Sequence, residues 1–312
     1  MNPNELEKRV ILHTDFPEVI DNTARTSFTC PQQFRRQVIQ KLAPKGRATD
    51  LHFGGAFALG LETLRRAFYE QGKSQIEAFS EAVHAATLYF GDFEPPAKHV
   101  KTYDRLIFAL FDYLTSYPLA TDIIQPIEMS PGRRAIEFTF AIPIPGTKHP
   151  QTGNPILYAG RFDMIGAYQG ARWGLDDKTT SQLGARWNKS WNLASQLTGY
   201  AWAAAESGLP LVGMIMRGQS ILTHGSEFAQ AIEYRPKWQI ERWLKQLQKD
   251  VARMIQAWEQ DDYDYNLGPM CTLYSGCPFK QLCLSNNPQI WIETEYENHY
   301  WNPLNKNPEE EA

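Results

Sequence analysis

The chain has 312 residues, 43% hydrophobic and 21% charged, a balance that excludes a disordered or fibrous polypeptide and fits one large or two modest folded domains. Lysine and arginine number 31 against 35 acids, so the formal net charge is −4, and a nucleic-acid partner has to be held by a local basic patch rather than by overall charge. No run approaches the roughly 18 apolar residues of a membrane span, and the opening "MNPNELEKRV" lacks the apolar stretch of a signal peptide, so the expectation is a cytoplasmic protein with no membrane contact.

In chain order, the first feature is the stretch 31–50, "PQQFRRQVIQKLAPKGRATD", where Arg35, Arg36, Lys41, Lys45 and Arg47 face a single acid, Asp50. Arg35, Arg36 and Lys41 are the candidates for contact with nucleic-acid phosphates, against the plainer reading of a solvated helix face. From 55 to about 118, "GAFALGLETLRRAFYEQG" and "TYDRLIFALFDYLTSY" carry apolar residues at helical spacing, joined by the Pro-bearing "GDFEPPAKHV"; this predicts a helical layer. Strands follow. Ile136, Phe138 and Phe140 alternate with other residues, and "YAGRFDMIGAY" and "RWGLDDKTT" flank a hairpin turn at "QGA". Residues 185–207 are Ala-rich with Trp187, Trp191, Leu197 and Ala201 at helical spacing and read as one long helix. "LPLVGMIMRGQSIL" and "SEFAQAIEYR" read as strands, Pro236 opens another helix, and the stretch from 265 reads as irregular.

The charges within those strands carry the chemistry. Asp163 interrupts one strand, and Asp176, Asp177 and Lys178 end the next. An uncompensated carboxylate inside a sheet costs several kcal/mol, roughly, unless a cation or strong donor meets it. With period two, Asp176 and Lys178 share a face while Asp177 points the other way. Asp163 and Asp176 then form an oxygen-rich seat for one or two magnesium or manganese ions. Lys178 is placed to orient or deprotonate a water, or to neutralise charge building on a phosphate under in-line attack. Glu137 on the preceding strand, and Gln196 and Tyr200 one turn apart in the following helix, strengthen the pattern.

At these residues the sequence resembles the RecB-like branch of the PD-(D/E)XK nuclease superfamily, which includes viral and CRISPR-associated exonucleases. The pattern G-x-x-D, D-x-K-T, Q-x-x-x-Y stands here as "GRFD" (160–163), "DDKT" (176–179) and "QLTGY" (196–200). The resemblance implies metal-dependent cleavage of DNA, with Asp163 and Asp176 as ligands, Lys178 as the catalytic lysine, and Gln196 and Tyr200 lining the DNA channel. Where the family's first helix offers a histidine, "GGAFALGLE" has Ala58; Glu62, one turn on, leans back toward that place and is the substitute ligand. His52 lies too far upstream and reads as structural. Trp187 and Trp191 are candidates for base stacking; most of the nine tryptophans read as core.

Cys271, Cys277 and Cys283 stand with five residues between each pair, and Cys30 is the only other cysteine. The spacing alone leaves structural zinc and an iron-sulfur cluster nearly level, with unliganded thiols behind. The resemblance favours a [4Fe-4S] cluster on all four.

The whole reading is α/β: a mixed sheet flanked by helices in the order αβββαβ, with a helical insertion and an iron-sulfur staple joining the two ends. It treats residues 1–312 as one nuclease domain with segments 25–50 (forward cysteine and bases), 51–125 (helical layer), 126–260 (catalytic core) and 261–312 (cysteine cluster and tail). The expected function is a deoxyribonuclease, an exonuclease in replication, recombination or repair, in a bacterial or phage-infected cell. Its expected partners are DNA and a helicase or recombination protein, since no G-x-x-x-x-G-K loop is present. The rivals are a catalytically inactive DNA-end binding subunit and a nuclease acting on RNA.

Overall fold

A computed structural model describes residues 10–46, 48–272, 276–300 and 302–304. The chain divides into two compact units, each assembled from stretches distant in sequence: Arg47–Phe140 with Arg161–Trp243, and Met1–Gly46 with Ala141–Gly160 and Leu244–Ala312.

The first of these units is a mixed sheet with helices. Helix α1 (Thr49–Tyr69), α2 (Gln75–Phe90) and α3 (Tyr103–Ser116) form the helical layer expected from the apolar spacing. Ala78, Ala82 and Ala86 recur every fourth residue and give α2 a narrow buried face against Phe53, Phe57, Leu61 and Leu64 of α1, with Leu106 and Leu110 of α3 in the same core. A reciprocal Ser74–Glu77 capping box starts α2. Small residues set the approach: a Cβ on Gly55 would lie 2.3 Å from the Tyr89 hydroxyl, and one on Gly60 would lie 2.9 Å from Leu110.

The strands are β1 (Ile136–Pro143), β2 (Leu157–Tyr168), β3 (Ala171–Thr180), β4 (Gly213–Leu222) and β5 (Gly225–Tyr234). β1 pairs with β2, β2 runs antiparallel to β3, β3 parallel to β4, and β4 antiparallel to β5. The β2–β3 turn is Gln169–Gly170, both at positive φ (50° and 73°), as a two-residue hairpin of matched twist requires. Helix α4 (Ser195–Glu206) makes the crossover between the parallel pair. The fold is therefore the mixed α/β arrangement expected from the sequence.

One predicted helix is two. Residues 185–207 form a short helix, Ala185–Ser190, and then α4, because the chain turns at Trp191 to Ala194 and the Arg235 guanidinium takes the Trp191 carbonyl at 2.6 Å. Trp187 and Trp191 pack edge to face at 5.5 Å beside this break. His52 is a structural histidine: it is buried, bonded through Nε2 to the Phe90 carbonyl at 3.1 Å, and faces Tyr89, Phe90 and Phe93.

In the second unit, Val19–Ile20 pairs in parallel with the first residues of β2, and Leu42–Pro44 pairs antiparallel with Tyr296–Asn298. α5 (Lys237–Glu259) supplies Leu247, Val251 and Met254, all buried, from its later turns. The stretch read as irregular holds two short helices, Lys280–Leu284 and Pro288–Glu295, whose Leu282 and Ile292 pack with Leu42, Phe279 and Tyr296. The apolar periodicity of such short helices is too brief to register in sequence.

Gly213 gives the sheet its sharpest steric test, since a Cβ there would fall 2.2 Å from the backbone oxygen of Glu233 on β5. Gly213→Ala is expected to lower unfolding free energy by about 1–3 kcal/mol, read as a lower urea midpoint with unchanged slope.

Candidate active site

The antiparallel ladder between β2 and β3 ends at the pair Met164–Leu175, while β3 stays paired with β4 through Thr180. The strands part just where the charges begin. Asp163 uses the gap: its Oδ2 accepts the Asp177 amide at 2.7 Å, a donor the ladder no longer consumes. Asp176 is buried, forms an ion pair with Lys178, and accepts a hydrogen bond from the Gln196 amide at 3.3 Å. Lys178 keeps 37% of its side chain exposed.

Burial and the neighbouring Asp176 and Glu137 carboxylates push the Asp163 carboxyl well above its ordinary range. Asp176 is raised too, chiefly by burial, with Lys178 opposing. Against the cost of its own burial, Asp176 and Asp163 hold Lys178 above the usual lysine value, so it carries its charge at neutral pH. A charged ammonium at that place can attract an anion.

A cleft of about 340 Å³ opens on this group, lined by Gly54, Ala58 and Arg65 of α1 together with Glu137, Asp163 and Lys178. Glu137 sits at φ 52°, in the left-handed region that a non-glycine residue avoids, within a strand. Its carboxylate meets the Arg161 Nε at 2.7 Å. Sequence reading noted Glu137 without giving it a place in the site, and missed Arg161 and Arg65. Arg65 had a signal: it lies on the buried stripe with Leu61 and Leu64, where an unpaired cation would be costly.

The remaining predicted residues divide. Gln196 reaches Asp176 as described, but Tyr200 is only 7% exposed, with its hydroxyl accepting the Arg161 amide at 3.4 Å and its ring against Phe140 and Phe162. It is buried rather than on an open channel surface, because α4 is buried on every side from Leu197 through Ala204. Burial raises its hydroxyl to about 12. Glu62 is drawn along its helix to Arg66, at 2.8 Å, and does not line the cleft, whereas Ala58 and Leu61 do.

In the second unit, Arg35 pairs with Asp261 at 2.9 Å over the Tyr263 ring, Arg36 donates to Gln40 at 2.9 Å, and Lys41 stands 5.3 Å from the Tyr300 ring. Each of the three has a partner within the chain. Arg47 lies outside the described residues.

Cys30 precedes the helix Pro31–Phe34, Cys271 ends a short turn, the Cys277 amide donates to the Cys271 carbonyl at 3.2 Å, and Cys283 lies in the helix Lys280–Leu284. All four are free thiols. They stand within electrostatic reach of one another: after burial, the other cysteines push the Cys277 and Cys283 thiols up, while Arg36 pulls Cys283 down. Cysteine sulfur suits a soft metal centre, and neighbouring carboxylates such as Asp163 and Asp176 suit a hard cation that completes its shell with water and phosphate. Among the described residues, no three His, Cys, Asp or Glu side chains are grouped closely enough to cage an ion by themselves.

Residues 23–284 match the sequence profile of the PD-(D/E)XK nuclease superfamily. The chain belongs to that superfamily. Among solved structures, this PD-(D/E)XK protein is similar to a candidate exonuclease from Eubacterium rectale, with 8% identity and a TM-score of 0.49, over 82% of this chain and 86% of that one. It is also similar to SSO0001, with 12% identity and a TM-score of 0.32, over 77% of this chain and 97% of that one. No curated protein matches it. No helix among the described residues is long and apolar enough to cross a membrane.

The raised Asp163 carboxyl has a consequence for stability. A folded-state value above the unfolded one, about 3.9, favours the folded state fully below that value, and the benefit is lost as pH rises through the raised one. Asp163→Asn is therefore expected to melt higher than wild type at neutral pH without divalent metal, the gap closing as pH falls toward 4. Melting curves across pH check this, and a lower melting point for the variant at pH 7 would refute it.

Proposed function

We propose that the protein is a magnesium- or manganese-dependent deoxyribonuclease of the RecB-like branch, an exonuclease serving replication, recombination or repair. The observation that carries this reading is the neighbouring pair Asp163 and Asp176 with the Asp176–Lys178 ion pair, Asp163 and Lys178 lining the cleft. Two carboxylates facing each other are costly until a divalent cation joins them, and such a cation, when bound, supplies Lewis-acid polarisation of the phosphate and a more acidic water.

The chain's own groups do the rest. Asp163 and Asp176 hold the cation, Gln196 fixes the second oxygen of Asp176, and the Asp177 amide fixes Asp163. The Lys178 ammonium stabilises charge building on the scissile phosphate, remaining protonated as it does so. Tyr200 acts from behind, holding the strand at Arg161 and so the direction of Asp163. Both units serve this one activity: the unit with the four cysteines carries a [4Fe-4S] cluster, with zinc as the alternative, that ties Cys30 to Cys271, Cys277 and Cys283. The setting is the cytoplasm of a bacterial or phage-infected cell, with a helicase or recombination protein supplying unwound ends.

Asp176→Ala and Lys178→Ala should each lower cleavage of end-labelled linear DNA by at least about a thousandfold in magnesium, with DNA affinity changed little, because these groups serve the reacting phosphate. Cleavage of linear but not circular DNA would support the exonuclease assignment. Wild-type protein that binds DNA ends but cleaves neither form in any divalent metal would replace this reading with that of an inactive end-binding subunit, which Ala58 at the histidine position favours.

Protein purified without oxygen should be brown, with iron and acid-labile sulfide in near-equal amounts. Cys283→Ala should be colourless and cut by protease in both terminal stretches, since metal binding energy becomes folding energy where no site exists in the unfolded chain. Stoichiometric zinc with no visible absorption would remove the cluster from the proposal.

A further inference from the structure

Asp177 takes no part in the chemistry above through its side chain, yet both of its carboxylate oxygens are held. Its Oδ2 accepts from Arg65 of α1 at 2.5 Å and its Oδ1 from the Tyr113 hydroxyl of α3 at 2.8 Å, while Arg65 also donates to that hydroxyl at 2.8 Å. Arg217 on β4 donates to the same hydroxyl at 3.2 Å and forms a two-pronged pair with Asp122, at 2.5 and 2.7 Å, over the Tyr117 ring. Arg65, Asp177, Arg217 and Asp122 have side-chain exposures of 3%, 4%, 1% and 6%, so two cations and two anions close a neutral network under the helical layer.

This network bears on the site through the backbone. β3 has lost its ladder to β2 beyond Leu175, so nothing in the β2–β3 ladder fixes the Asp177 peptide on that side. The strand stays paired with β4 at Arg217, and the Asp177 side chain adds a hold from the helical layer. The Asp177 amide then gives the donor that Asp163 accepts at 2.7 Å, and a short amide-to-carboxylate bond is strongly directional. We propose that Asp177 is a positioning residue of the nuclease site: the Arg65–Tyr113 clamp on its carboxylate fixes the amide that aims Asp163 into the cleft. The middle residue of D-x-K thereby couples the helical layer to cation binding. The inference rests on the nuclease reading given above.

The test measures binding of Mn²⁺ by electron paramagnetic resonance, without DNA, alongside steady-state cleavage and melting temperature. Tyr113→Phe removes one bond to Asp177 and leaves the Arg65 pair whole; it should weaken Mn²⁺ binding about threefold, as one hydrogen bond's contribution implies. Asp177→Asn should weaken it about tenfold, in the range of lost partners behind metal ligands. In both, kcat at fixed metal should fall and KM for DNA stay unchanged. Asp122→Asn is the control: it breaks the far end of the same buried network, four links from Asp163, and should lower the melting temperature with Mn²⁺ affinity kept.

If Tyr113→Phe binds Mn²⁺ as wild type does, or if Asp122→Asn weakens it equally, the role of the network is merely structural and the proposal fails. Should Asp177→Asn not fold, Tyr113→Phe against Asp122→Asn still decides. Wild-type protein that binds no Mn²⁺ would overturn the nuclease reading and this inference with it, an outcome distinct from a wild type that binds and cleaves beside an unaffected Tyr113→Phe.

Discussion

The pairing of Arg65 with Asp177 governs how the catalytic sheet and its helices can coexist. Three consecutive charged residues, Asp176, Asp177 and Lys178, lie on a strand that is otherwise interior, and the pleat sends the middle one toward α1 and α3. Removing one member of a buried pair costs about 3–5 kcal/mol because the survivor remains desolvated. The helical layer therefore cannot shift along β3 without breaking that contact, and the cleft lined by Gly54, Ala58 and Arg65 inherits its shape from the same constraint. Gly55 and Gly60 let α2 and α3 close in behind α1, so the cation is buried by packing that the small residues permit.

On the opposite face the same strand is arranged less comfortably. Asp163, Asp176 and Glu137 repel one another, and Glu137 occupies a backbone conformation that costs of order 1–3 kcal/mol. Strain and like charge concentrated at one place, with a fully compensated network one residue away, is the pattern expected where chemistry competes with stability. Lys178 and Arg161 each neutralise one of these acids, and Asp163 receives an amide in place of a full charge.

What could be read from the sequence was local. The hairpin at Gln169–Gly170, the alternation that sets Asp177 apart from Asp176 and Lys178, and the apolar spacing of α1 and α3 follow from neighbours a few residues away. What escaped was decided by partners far along the chain. Arg35 looked free because its acid, Asp261, lies 226 positions later, and the helix over 185–207 looked continuous because Arg235, 44 positions past Trp191, takes the carbonyl at the break. Glu62 is the instructive case: Arg66 stands one turn beyond it, so the sequence already offered a competitor for its carboxylate.

The division of the chain into interleaved units also bears on its synthesis. Once residue 243 has left the ribosome, every strand and helix of the catalytic unit exists, apart from the excursion at 141–160 that belongs elsewhere. The other unit is different: Leu42–Pro44 waits for Tyr296–Asn298 before it can pair, a delay of roughly ten to fifty seconds at ordinary translation rates. Until α5 is made, Phe16, buried when folding is complete, lacks its ring neighbour Trp258. The pairing of Leu42–Pro44 is thus among the last contacts of the chain to become available during synthesis.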